Sequence, residues 1–86
     1  MPKLVVHNRA ARYIKRMDAR IKSQLLSKLE ELAKNPSAMP GAKPMAGEWL
    51  GFHRLRHGDF RIIYLYDRDN DMVVIAHVGP RGDVYK

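Results

Sequence analysis

The chain has 86 residues, no cysteine, and a net charge of +7 from 16 Lys and Arg against 9 Asp and Glu, which excludes a disulfide-stapled fold, a thiolate nucleophile and a thiolate metal site. Its 45% apolar content is that of a globular chain, and a chain this short buries only about 60–65% of its unfolded surface, so a single domain over 1–86 with one modest core is expected. So basic a surface favours polyanions such as nucleic acid, a ribosomal surface or an acidic partner protein, although charge alone also serves solubility.

The N-terminus, Met1-Pro2-Lys3-Leu4-Val5-Val6, lacks the apolar stretch of a signal peptide. Later apolar runs stay far below the ~20 residues that span a bilayer. The expected location is therefore the cytoplasm, with no membrane contact. Leu4-Val5-Val6 reads as an edge strand. Asn8 is an expected N-cap for a first helix over Arg9–Met17, with Ala10, Ile14 and Met17 on one face. Asp18 offers a second N-cap. Over Ala19–Lys34 the apolar residues Ile21, Leu25, Leu29 and Leu32 recur at helical spacing, and Asn35-Pro36 ends the pattern. The two helices form a helical hairpin, and the leucine stripe is core.

Residues 36–48 form a loop punctuated by Pro36, Pro40, Gly41, Pro44 and Gly47. The period then changes to that of strands over Trp49–His57, Phe60–Asp67 and Met72–Val78. Gly58-Asp59 reads as a two-residue hairpin loop, and Arg68-Asp69-Asn70 as the next turn. The expected fold is α+β, an N-terminal strand and helical hairpin packed on an antiparallel sheet of about four strands. A two-residue loop pairs His57 with Phe60, Arg56 with Arg61 and Arg54 with Ile63. One face of the hairpin then carries Phe52, Arg54, Arg56 and Arg61. The more apolar face, with His53, Leu55, His57, Phe60, Ile62 and Tyr64, takes the helices. A three-residue loop would move Arg61 to the opposite face.

Residues 1–48 hold ten of the Lys and Arg and residues 49–86 only six, yet Arg54, Arg56, Arg61 and Arg81 of the second set lie in or beside strands. The planar guanidinium fork suits phosphate recognition. The other reading of the hairpin trio is a solvated strand face, with Arg56 paired to Asp59. His53 and His57 stand four apart in a strand with no third ligand, so packing explains them better than a metal. His77 is a candidate for acid–base work by its pKa range, or a packed strand histidine. Asp67, Asp69 and Asp71 mimic the start of a calcium loop, but Met72 and Val78 occupy the positions that need Gly and Glu. Trp49 and Phe52 suit base stacking, and Trp49 equally suits covering the end of a small core. No metal and no cofactor is expected.

The segment Gly47-Glu48-Trp49-Leu50-Gly51-Phe52-His53-Arg54-Leu55-Arg56-His57-Gly58-Asp59-Phe60-Arg61-Ile62-Ile63-Tyr64 and the tail Val78-Gly79-Pro80-Arg81-Gly82-Asp83-Val84-Tyr85 resemble the RelE/ParE toxin superfamily of bacterial type II toxin–antitoxin systems, with the RelE-like branch favoured. So does the helical hairpin closing on Leu29-Glu30-Glu31-Leu32-Ala33-Lys34-Asn35-Pro36. The RelE-like branch implies ribosome-dependent, metal-independent cleavage of mRNA by 2′-OH attack. The ParE-like branch implies inhibition of DNA gyrase on the same fold. A non-catalytic basic nucleic-acid-binding module is the third reading.

By resemblance, Arg54 faces the RNA, Arg61 stabilises the scissile phosphate, Arg81 lies near the leaving group and Tyr85 helps activate the 2′-hydroxyl. Arg56, Phe52, Lys43 and Lys86 complete the expected RNA contacts. Phe52 stands where some RelE-like members have a lysine, and Pro80 where a histidine often precedes the final arginine. The resemblance further implies a cognate antitoxin whose acidic or wrapping C-terminal segment neutralises the toxin, ribosome and mRNA as targets, and operator DNA bound through the antitoxin.

Overall fold

The computed structural model describes residues 2–80. Their order is β1 (Lys3–Val6), α1 (Asn8–Lys15), α2 (Ala19–Lys34), β2 (Lys43–Pro44), a 3-10 turn (Gly47–Trp49), β3 (His53–His57), β4 (Phe60–Asp67) and β5 (Met72–Pro80). The fold is α+β, as expected. The sheet differs from expectation in having five strands, ordered β1-β5-β4-β3-β2, and in being mixed.

β1 is an edge strand, but it runs parallel to β5, pairing Lys3 with Met72 through Val6 with Ile75. No tight turn ties an N-terminal strand to a neighbour, so its direction is set by the tertiary crossover alone. The added strand, β2, pairs Lys43 with Arg54 and Pro44 with His53. It is the opposite edge, where a proline lacking an N–H is tolerated.

α1 begins one residue early because His7, not Asn8, is its N-cap, with His7 Nδ1 accepting a hydrogen bond from the Arg9 N–H at 3.2 Å. It ends at Lys15, with Arg16 as C-cap, short of Met17. α2 has the expected bounds. Asp18 holds its N-cap position without a side-chain cap bond. Leu25, Leu29 and Leu32 are fully buried. With Ala10 and Ile14 of α1 and Met39 of the following loop they pack on Leu55, Ile62, Tyr64, Val73, Ile75 and Val78 of the sheet.

The expected strand from Trp49 starts only at His53. The Leu50 N–H donates to Gly47 O at 3.1 Å and the Phe52 N–H to Trp49 O at 2.9 Å, so these donors are satisfied locally and build no ladder. The second turn is one residue longer than expected, extending through Asp71 before Asp67 pairs with Met72. Asp67 holds it through both carboxylate oxygens, accepting from the Asn70 N–H at 3.2 Å and from the Asn70 side-chain amide at 2.8 Å.

β5 runs two residues past Val78 and carries a bulge. Ile63 pairs with His77 but Tyr64 pairs with Ile75, leaving Ala76 as the extra residue. The bulge resets the alternation. Ile75 and Val78 therefore both face the helices and are buried, while His77 turns to the open face beside Ile63.

Candidate nucleic-acid interface

The hairpin between β3 and β4 has the two-residue loop, with Gly58 at φ +58, a backbone region that favours glycine. The ladder pairs His57 with Phe60, Arg56 with Arg61 and Arg54 with Ile63. Cross-strand partners share a face. Arg54, Arg56 and Arg61 therefore rise from the side opposite the helices, and β2 brings Lys43 beside them through its pairing with Arg54. Gly41, Lys43, Arg54, Arg56 and Arg61 line a pocket of about 290 Å³.

Four cationic side chains and no carboxylate line that pocket among the described residues. Like charges directly opposite one another in a ladder destabilise it, and Arg56 faces Arg61 in that way. The arrangement is costly for the sheet and well made for an anion. Ile63, between the arginines and His77 on the same face, is fully buried. No ion pair joins Arg56 to Asp59 among the described residues.

Gly79 pairs with Arg61 across the ladder. A Cβ on Gly79 would meet His77 Nε2 at 2.8 Å, so the imidazole lies over this glycine, in the space a side chain would fill. His77 thereby stands on the arginine side of the sheet. Neither Gly41, at φ +84 in the loop, nor Gly79 supplies a group, so the sequence does not mark them as site residues. A breaker-rich loop and a pre-proline glycine were their only signals.

Other candidates are placed elsewhere. Phe52 lies before β3 and packs edge-on against Trp49, with ring centroids 5.3 Å apart. It does not line the arginine pocket. Trp49 is half-buried and outside the core cluster. His53 is stacked on Tyr64 at 5.6 Å on the helix side of the sheet. No group of three or more His, Cys, Asp or Glu suited to a metal occurs among the described residues. Arg81, Tyr85 and Lys86 lie outside the described residues. No helix among those described is long and apolar enough to cross a membrane.

The sequence matches the family described as ParE toxin of type II toxin–antitoxin system, parDE, over residues 4–85. Toxin RelE of Mycobacterium tuberculosis is 33% identical over 55 residues, which cover 64% of this chain and 55% of that toxin. The chain thus spans about half the length of that curated relative. The fold is similar to one solved in the toxin–antitoxin complex RelBE2 of M. tuberculosis, with a TM-score of 0.81 at 25% identity over 94% of this chain and 100% of that one. The isolated E. coli RelE toxin has the same fold, with a TM-score of 0.79 at 20% identity over 99% of this chain and 92% of that one. Matched over nearly its whole length and similar in fold to the RelBE2 complex structure, the chain belongs to the ParE toxin family of type II toxin–antitoxin systems, within the RelE/ParE superfamily.

Proposed function

We propose that this chain is a toxin that cleaves mRNA on the ribosome. The observation that carries the reading is the pocket in which Lys43, Arg54, Arg56 and Arg61 converge. The relative named Toxin RelE supports it. A scissile phosphate seated there has its charge opposed by fixed guanidinium groups. The 2′-oxygen of the preceding ribose attacks phosphorus, the bond to the 5′-oxygen breaks, and the products are a cyclic 2′,3′-phosphate and a 5′-hydroxyl. The 2′-hydroxyl gives up its proton and the leaving 5′-oxygen takes one. Negative charge peaks on the phosphoryl oxygens between these events, and preorganised cations stabilise that state more than the ground state.

In this reading Arg61 holds the phosphoryl oxygens, Arg54 and Arg56 hold the flanking backbone, and Lys43 closes the pocket edge. Arg81, the next residue in sequence after β5, whose Gly79 is the ladder partner of Arg61, acts as a charge clamp on the leaving oxygen. An arginine stays protonated and is a poor proton donor. Tyr85 assists at the 2′-hydroxyl. An antitoxin with an acidic or wrapping segment neutralises the toxin, and operator DNA is bound through that antitoxin.

Primer extension on mRNA in a translating lysate tests the reading. Cleavage is expected with the wild type, and Arg61→Ala lowers it roughly 100-fold or more, the usual cost of one donor to a developing oxyanion. Undiminished cleavage by a folded Arg61→Ala protein refutes the assignment. The family match, described as ParE toxin, favours one second reading, inhibition of DNA gyrase. That reading expects intact mRNA in the lysate and loss of supercoiling by purified gyrase.

A further inference from the structure

A second basic surface lies outside the sheet pocket. Arg9, Arg12, Lys15 and Arg16 fall on or at the end of α1, and the first acidic residue of the chain is Asp18. At 100° per residue, Arg9, Arg12 and Arg16 lie within about 60° of the helix circumference. They extend over about 10 Å of axis. Ala10 and Ile14 bury the opposite side of the helix. Tyr13 packs edge-on against Phe60 with centroids 6.1 Å apart, fixing the stripe relative to the arginine hairpin.

Helix stability does not explain this stripe. A cation in the first turn opposes the helix dipole, as Arg9 does. Arg12 and Arg16 stand at i and i+4, a like-charge pair that destabilises a helix. No ion pair or side-chain hydrogen bond engages the three guanidinium groups among the described residues. Together with Tyr13, His77 and Gly79 they line a separate pocket of about 280 Å³.

One ladder step links the two pockets. Gly79 lines the helix-side pocket and Arg61 the sheet pocket, and these two residues are direct ladder partners. Adjacent strands are only about 4.8 Å apart. A chain of phosphates leaving Arg61 and passing β5 at Gly79, which the His77 imidazole covers, arrives at the stripe.

We infer that Arg9, Arg12 and Arg16 form a second phosphate-binding segment that engages single-stranded RNA beyond the nucleotides held at Arg54, Arg56 and Arg61. The inference rests on the reading of the sheet pocket as an RNA site. Three arginine forks in a row, one ladder step from that pocket, suit a phosphodiester backbone. The stripe sets how many nucleotides the protein grips and adds affinity without base specificity.

The test is fluorescence anisotropy of the full chain with 2′-deoxy-substituted, uncleavable RNA, using a trinucleotide and a nonanucleotide over a range of salt. R9Q/R12Q/R16Q is expected to bind the nonanucleotide about tenfold more weakly. Its salt dependence should flatten by about 2, at ~0.7 per phosphate contact on a single strand. Trinucleotide binding should not change. Single Arg→Gln variants should each flatten the slope by about 0.7, which keeps the test decisive if the triple variant fails to fold. Unchanged nonanucleotide affinity and slope overturn the inference. So does a loss confined to binding of poly-glutamate, which assigns the stripe to an acidic protein segment. Because the readout is binding, absence of mRNA cleavage with the length effect intact sinks the proposed activity and leaves the stripe standing.

Discussion

The Tyr64 hydroxyl is buried without a hydrogen-bond partner among the described residues. Its ring earns its place in the core cluster and stacks on His53, but the hydroxyl contributes only a desolvation cost. Burial also raises its pKa above the ordinary phenol value of 10.0. Tyr64→Phe should therefore stabilise the fold by about 1 kcal/mol, the lower end of the cost of an unsatisfied buried group. The pH dependence has a definite sign. A raised folded pKa means that the stabilisation is complete below the unfolded value and is lost as pH rises from about 10 through the folded value. Thermal melts should show the wild type losing stability above pH 10 more steeply than Tyr64→Phe, and parallel alkaline curves would contradict this. Gly79 makes a different single-residue case. Gly79→Ala places a methyl 2.8 Å from His77 Nε2, so the ring must move. His77→Ala should relieve that clash, and a double-mutant cycle should give a coupling of about 0.5–3 kcal/mol with the double variant more stable than the sum predicts. Additive effects would place the imidazole elsewhere.

Among the elements, the β3–β4 hairpin was the most legible. Gly58-Asp59 between two alternating segments determines the loop length, and loop length determines which side chains share a face. That is why the sequence alone groups Arg54, Arg56 and Arg61. The same logic fails on β5, because a bulge at Ala76 has no local signature and it decides that His77 faces the arginines. It fails again for β1, whose parallel partner is nearly seventy residues away in sequence. At the start of α1, two adjacent residues competed for the N-cap, and His7 won by offering Nδ1 to Arg9 N–H. The legible hairpin yields a prediction. Gly58 sits at φ +58, where a β-branched side chain is strained by about 1–2 kcal/mol. Gly58→Val should lower stability by that amount and reduce RNA binding by disturbing the Arg56–Arg61 pair. Gly58→Asn should restore most of both, since asparagine tolerates this region. Chemical denaturation and anisotropy on the same samples would show it, and equal effects of Val and Asn would rule out backbone strain.

Across the whole molecule, composition favours a polyanion partner without saying where one would sit. Pattern placed three arginines on one sheet face, β2 brings the expected Lys43 beside them, and only the tertiary fold set α1 beside β5. The charges that gather this way are of one sign. With 16 cationic and 9 anionic side chains on 86 residues, the folded chain concentrates repulsion that the unfolded chain spreads out. Raising ionic strength from 0.01 to 0.15 M shortens the Debye length from about 30 to about 8 Å, and the repulsion between Arg9, Arg12 and Arg16, and between Arg56 and Arg61, is screened accordingly. The melting temperature should therefore rise with sodium chloride over that range, by a few degrees if the relief is about 1 kcal/mol. The rise should be smaller in R9Q/R12Q/R16Q, which carries three fewer charges. A melting temperature that falls with salt would mean that attractive ion pairs dominate the surface. The arginine surfaces would then be neutralised within the protein itself, leaving little drive to bind phosphate.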